Sequence, residues 1–237
     1  MSRKSFFLTI GIVVALVSTA ATVLVIMVRH EPAFYKRAAV PPGERRTKES
    51  GDFFSISLNE VTNSLLNSKS GKREFDARFT EEQINSYLAE DWICKHSGDK
   101  PFPDGVSDVR IALDADHIRV GFRYGTGWTS TVVSLDLHVW LVTKETNVVA
   151  LKFEKIHAGA LPISAHSLLE SIADFAHQKQ DIEPTWYRHQ GRPVLLLRFQ
   201  ADRSNPDFQL LQLELRPGLL RIVGKSLEGA WNTGTGG

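Results

Sequence analysis

Residues 6–28 (FFLTIGIVVALVSTAATVLVIMV) form one uncharged run, and it limits what the rest of the chain can be. As a helix rising about 1.5 Å per residue it would reach roughly 35 Å, enough to cross a hydrocarbon core of about 30 Å. Ser18, Thr19 and Thr22 can return their hydroxyls to carbonyls of the same helix, so they do not spoil such a span. The competing reading is a cleaved leader, with Arg3 and Lys4 as its positive start and Ser18-Thr19-Ala20 as small residues at a cleavage point. The apolar run continues past that point through Val28, which favours an uncleaved anchor. Flanking charges conflict on orientation, because Arg29, Lys36, Arg37, Arg45, Arg46 and Lys48 follow the run while Arg3 and Lys4 precede it. Large domains translocate largely regardless of such charges, so the expectation is a single-pass protein of the cell membrane with its C-terminal domain extracytoplasmic, on the periplasmic side.

The chain divides into residues 1–5 as a cytoplasmic tail, 6–28 as a transmembrane anchor, 29–52 as a flexible linker, 53–229 as an α+β domain and 230–237 as a disordered Gly-rich tail. The linker reading rests on Pro32, Pro41, Pro42 and Gly43, on crowded charge, and on the lack of an apolar period. A coil of that length spans about 25 Å on average. Lys and Arg number 28 against 27 Asp and Glu, a formal charge of +1, so there is no global field for nucleic acid and none is expected as a partner. Cys94 is the single cysteine, which rules out an internal disulfide and a cysteine-based metal cage.

Two short units open the domain, Phe54 to Leu58 and Phe75 to Phe79, each alternating like a strand before a helical turn. Thr80 with Gln83 makes a capping box, Glu81 and Glu82 suit the positive end of the helix dipole, and Ile84, Tyr87, Leu88 and Trp92 share one face. From residue 106 to 159 the period becomes two. Val109, Ile111 and Leu113 are followed by an Asp114-Ala115-Asp116 turn, then by Ile118, Val120, Phe122 and Tyr124 on the face opposite His117, Arg119 and Arg123. Val133 to Leu141 and Val149 to Phe153 complete an antiparallel meander. Leu168, Leu169, Ile172 and Phe175 recur at helical spacing up to about Gln180, Pro184 forbids much more helix, and residues 194–199, 208–215 and 219–223 return to strand around a tight Arg216-Pro217-Gly218 turn. The fold class is therefore α+β: an N-terminal transmembrane helix, then a curved antiparallel sheet of about six to eight strands packed on one or two amphipathic helices.

Residues 79–88 (FTEEQINSYL), 105–113 (GVSDVRIAL) and 159–163 (GALPI) together resemble the pattern of small membrane-anchored bacterial envelope proteins of the YpmS-like and YceB-like type, TULIP-like (tubular lipid-binding) in plan. The likeness covers roughly residues 53–229, and its motifs are structural rather than catalytic. What it implies is a sheet curled around a long helix, with an apolar groove for acyl chains and a membrane lipid as ligand. The contact residues expected for that groove are Ile84, Leu88, Val120, Phe122, Leu137, Leu168, Leu169, Ile172 and Phe175, with Arg119 and Arg123 for the head group. The opposing reading closes the same apolar residues into a dry core. A second function class is an interaction module that docks an envelope protein partner.

Chemistry-bearing constellations are weak. His166, Glu170, Asp174 and His177 share a helical face, but the two histidines would lie about 16 Å apart along the axis, too far for one metal ion. Cys94 and His96 would point apart on a helix. No nucleophile elbow, H-E-x-x-H or phosphate-binding loop is present, so no catalysis, cofactor or metal is expected. Trp128, in a turn-like context, and Trp140, beside Asp136 and His138, are aromatic positions that mark an interface patch if they face water.

Overall fold

A computed structural model describes residues 3–62, 74–92, 105–163, 182–199 and 208–227. The apolar run is helical: α1 spans Arg3–Arg29, and its segment Ile12–Arg29 has a mean hydropathy of 2.4 and none of it is buried against the protein. This helix is long and apolar enough to cross a membrane. Thr19 and Thr22 donate their hydroxyls to the carbonyls of Ala15 and Ser18, 2.8 and 2.9 Å away, so neither polar group is left bare.

Beyond α1 the described chain forms ten strands in two antiparallel sheets. The larger contains β2 (Val106–Asp114), β3 (His117–Tyr124), β4 (Thr131–Leu141), β5 (Val148–Ala158), β8 (Arg192–Phe199) and β7 (Ile182–His189) in that order, with the short β6 (Leu161–Pro162) also on β5. The smaller has the order β1 (Glu74–Thr80), β10 (Leu219–Ser226), β9 (Phe208–Arg216). The expected meander is β2 to β5, and the α+β class holds. β7 was not anticipated, because Pro184 reads as a helix stop. It is an edge strand, where a missing N–H is tolerated, and Pro184 lies opposite Leu197 of β8.

One core joins the two sheets. Ala77 and Phe79 of β1 and Leu215 of β9 meet Val133, Leu135, Leu137 and Val139 of β4, Phe153 and Ile156 of β5 and Leu195 of β8. Each such leucine or valine, fully buried, contributes about 1.5–3 kcal/mol. Helix α4 (Glu81–Tyr87) closes the core with Ile84 and with Leu88 just beyond it. Its predicted capping box is present in full: Gln83 N–H donates to Thr80 Oγ1 at 3.1 Å, and Thr80 N–H donates to Gln83 Oε1 at 2.9 Å.

Two expectations are corrected. Residues 29–52 are not a free linker: they carry α2 (Ala33–Arg37) and most of α3 (Glu44–Ile56), and Phe34, Tyr35, Ala38 and Ser50 are buried. The folded body therefore begins well before residue 53. Residues 54–58 are helical rather than a strand, because Phe53 is drawn onto the core. Its ring lies 4.9 Å from that of Phe79 and 4.6 Å from that of Tyr87. The charges that made this stretch look like a tether instead lace α3 to the segment around α4, through Arg45–Glu82 at 2.6 Å and Arg46–Glu90 at 2.9 Å. The expected helix bearing Leu168, Leu169, Ile172 and Phe175, the His166–His177 face and Cys94 all lie outside the described residues.

Candidate functional site

The feature with most consequence is the junction between α1 and the larger sheet. Ala160 N–H donates to the Met27 carbonyl at 2.8 Å, Thr131 Oγ1 donates to the Val28 carbonyl at 2.6 Å, and Arg29 Nη2 donates to the Trp128 carbonyl at 2.6 Å. The last turn of α1 is thus hydrogen-bonded to two turns of the sheet, the one before β4 and the one after β5. Gly159 makes this approach possible. Its φ is +61°, and a Cβ at that position would lie 2.3 Å from the carbonyl oxygens of both Met27 and Val28. Gly159→Val is accordingly expected to pry α1 off the sheet, with backbone strain of about 1–3 kcal/mol before the clash is counted. Trypsin cleavage after Arg29 in the full-length chain should speed up about tenfold, the equivalent of roughly 1.4 kcal/mol of local opening.

Past the junction, α2 is seated on the outer face of the same sheet. The Tyr35 ring lies over Gly121, where a Cβ would come within 2.6 Å of it. Phe34, Tyr35, Ala112 and Val132 make a second, smaller core. Tyr35 donates its hydroxyl to the Asp108 carbonyl at 2.7 Å, while the Arg110 guanidinium stands 4.2 Å over the ring and donates to the Tyr35 carbonyl at 2.9 Å. Burial first, and then the Asp108 carboxylate, push the Tyr35 hydroxyl above its ordinary range. Arg110 grips Asp108 with two nitrogens, at 3.2 and 2.8 Å, and Arg123 bonds Glu31 and lies 3.7 Å from Asp108. The Glu31 hydrogen bond raises the Arg123 pKa further above its usual value.

Between α2 and strands β3 to β5 there is a notch of about 340 Å³. Its walls include His30, Phe34, Arg119, Asp136, Lys155 and His157, and it opens beside Gly159 and Ala160, at the foot of α1. The sheet register aligns these groups: Arg119 pairs with Asp136, Asp136 with Lys155, and Ser134 with His157. Arg119 is held by Asp114, Nε to Oδ2 at 2.7 Å, and its guanidinium lies 5.1 Å from the Phe34 ring, which fixes its head at the wall. Lys155 is exposed. With Asp114 on Arg119 and Asp136 beside Lys155 in the register, cations and carboxylates balance, and Lys155 with the imidazoles of His30 and His157 supplies the hydrogen-bond donors that an anionic group could use.

The two arginines anticipated for a head group therefore fare differently. Both are paired with carboxylates, Arg119 with Asp114 and Arg123 with Glu31, but Arg119 lines the notch and Arg123 does not. Ile84, Leu88, Phe122 and Leu137 are buried in the main core, and Val120 is half-buried against it. Those five belong to one apolar cluster and none of them lines the notch. Sequence reasoning did not single out Lys155, His157 or His30. The available signal was the alternation of β5 set against β4, which places Lys155 and His157 across from Asp136 and Ser134.

Farther along the same outer face, His117 and His138 have ring centroids 5.1 Å apart, and Trp140 lies 5.3 Å from His138. Lys152 at 2.8 Å, and after it His117 at 3.5 Å, hold the Glu154 carboxyl below the usual carboxylate range. Among the described residues no group of three His, Cys, Asp or Glu side chains converges as metal ligands would. No protein-family model matches the chain, and neither the curated proteins nor the solved structures yield a match.

Proposed function

We propose that this chain is a single-pass, membrane-anchored module of the cell envelope, its domain extracytoplasmic, that holds a lipid or lipid-like ligand beside the bilayer without catalysis. The observation that carries this reading is the polar notch, with Arg119 and Lys155 among its walls, at the foot of a helix apolar enough to cross a membrane. With α1 in the bilayer, the notch sits near the head-group level. An anionic head group enters it while the acyl chains stay in the bilayer, so no apolar tunnel is needed. The hydrogen bonds from Thr131, Ala160 and Arg29 to the foot of α1 support this placement, since they leave little freedom for the domain to swing away. The reading agrees with the envelope-protein resemblance in its ligand class and moves the contact from an apolar groove to a polar one.

The test is lipid retention by the full-length chain. Reconstituted in mixed anionic and zwitterionic bilayers and released for native mass spectrometry, it is expected to carry one anionic lipid preferentially. Lys155→Gln should weaken that retention about fivefold, from roughly 1 kcal/mol per basic side chain at an anionic surface. Retention that ignores lipid charge, or that Lys155→Gln leaves unchanged, rejects the proposal.

A further inference from the structure

Exposed apolar side chains lie in or within a few residues of the two turns that grip α1. Trp128 is 81% exposed, Tyr124 53% and Ile163 40%. Trp128 lies in a 3-10 turn, Gly127–Thr129, entered through Gly127 at φ +59°, and Ser130 folds back on that turn with both its N–H and its hydroxyl bonded to the Gly127 carbonyl. The turn is thus closed upon itself, and the indole is held out rather than folded in. Tyr124 ends β3 four residues before Trp128, and Gly125 N–H bonds the Gly105 carbonyl at 3.0 Å, which fixes the strand end. Ile163 follows β6, three residues after the Ala160 that bonds the Met27 carbonyl, and is tied back by its N–H to the Ile156 carbonyl at 3.1 Å.

We infer that Trp128, Tyr124 and Ile163 form a docking rim that lies in the interfacial layer of the bilayer α1 enters. The inference rests on the proposed membrane anchoring and goes beyond it, because an anchored domain need not touch the membrane. The occupant is set by continuity: the Trp128 carbonyl accepts from Arg29, the last residue of α1, so the rim stands at the level where the apolar helix ends. Indole and phenol rings, apolar in body and polar at one edge, favour that layer. Arg29 fits there too, its stem along the apolar surface and its guanidinium at the boundary. Rim and helix together give the body two lines of contact with the surface, which fixes its tilt and keeps the notch turned toward the head groups.

The probe is bromine quenching of tryptophan emission in the full-length chain, reconstituted in phosphatidylcholine vesicles brominated either near the glycerol end or near the methyl end of the acyl chain. Trp128→Phe supplies the reference. The side chain is exposed, so its replacement leaves the packing intact, and the wild-type minus variant spectrum isolates Trp128. The expected result is a chain that resists carbonate extraction, with a difference spectrum that loses most of its intensity to the shallow bromines and less to the deep ones. A carbonate-resistant chain whose difference spectrum is unquenched by both lipids overturns the rim and leaves the anchor standing. A chain that carbonate strips from the vesicles overturns both.

Discussion

Tyr35→Ala is expected to destabilise the full-length chain by about 3–5 kcal/mol, the range for removing a buried aromatic ring from a packed site. The side chain is fully buried, and Phe34, Ala112 and Val132 share its small core. Its loss also takes away the hydroxyl bonded to the Asp108 carbonyl and the ring beneath the Arg110 guanidinium. With Tyr35 gone, α2 has little to hold it, and residues 30–40 would become the tether that their composition resembles. Denaturant titration in detergent micelles measures the loss, and a decrease below about 1 kcal/mol would show that α2 is not a structural clasp. Tyr35→Phe keeps the ring and loses only the hydroxyl bond, at about 1 kcal/mol.

The same side chain sets an alkaline limit. Its folded pKa is raised above the ordinary tyrosine value near 10, so the folded state holds the proton that the unfolded chain releases. The stability this provides is complete below about pH 10 and is lost as pH rises above it. Wild type should therefore lose stability between pH 10 and 11 more steeply than Tyr35→Phe, and parallel profiles would place the titration elsewhere.

What could be read in advance follows from how local each signal is. The meander from β2 to β5 is written in adjacent residues, because apolar positions alternate and the turns at Asp114–Asp116 and Gly125–Gly127 interrupt them. The Thr80–Gln83 cap is equally local. Pairing of β1 with β10 is not, since Glu74 meets Lys225 and nothing near either residue announces the other. Helix α2 was missed for a related reason. Three apolar residues in a short polar stretch make no period, and what buries Tyr35 is a missing Cβ at Gly121, far along the chain. In the candidate site, Arg119 was legible as a cation on a strand face. Its partner Asp114 across the hairpin and its neighbours Lys155 and His157 needed the register. The core-facing candidates Phe122 and Leu137 were legible as apolar, but alternation cannot tell a wall that faces a ligand from one that faces a second sheet. In the structure they share one cluster with Ala77, Phe79 and Leu215 of the smaller sheet.

The other large effect belongs to Asn85, a polar residue only 3% exposed on α4. Its side chain accepts from Ile111 N–H at 2.8 Å and donates to the Ile111 carbonyl at 2.7 Å and to the Glu81 carbonyl at 2.9 Å. β2 lies at one end of the sheet order, and its outward backbone groups would otherwise stand bare. The Asn85 amide takes the place of a neighbouring strand at Ile111. Two residues on, Glu81 Oε2 accepts from Leu113 N–H at 2.8 Å, and Gly218 N–H donates to the Leu113 carbonyl at 2.9 Å. The stretch of β2 at Ile111 and Leu113 is thus closed to strand addition by a partner, and the smaller sheet is fastened to the larger through the β9–β10 turn. Asn85→Ala strands the Ile111 N–H and C=O, at about 1–3 kcal/mol each, so a total near 2–6 kcal/mol is expected from denaturant titration. Asn85→Asp discriminates the cause: it keeps the shape and the acceptor but loses the donor and brings a carboxylate up to the Ile111 carbonyl. It should therefore destabilise nearly as much as the alanine. If Asn85→Asp were instead as stable as wild type, the bidentate grip on Ile111 would not be what holds α4 to the sheet.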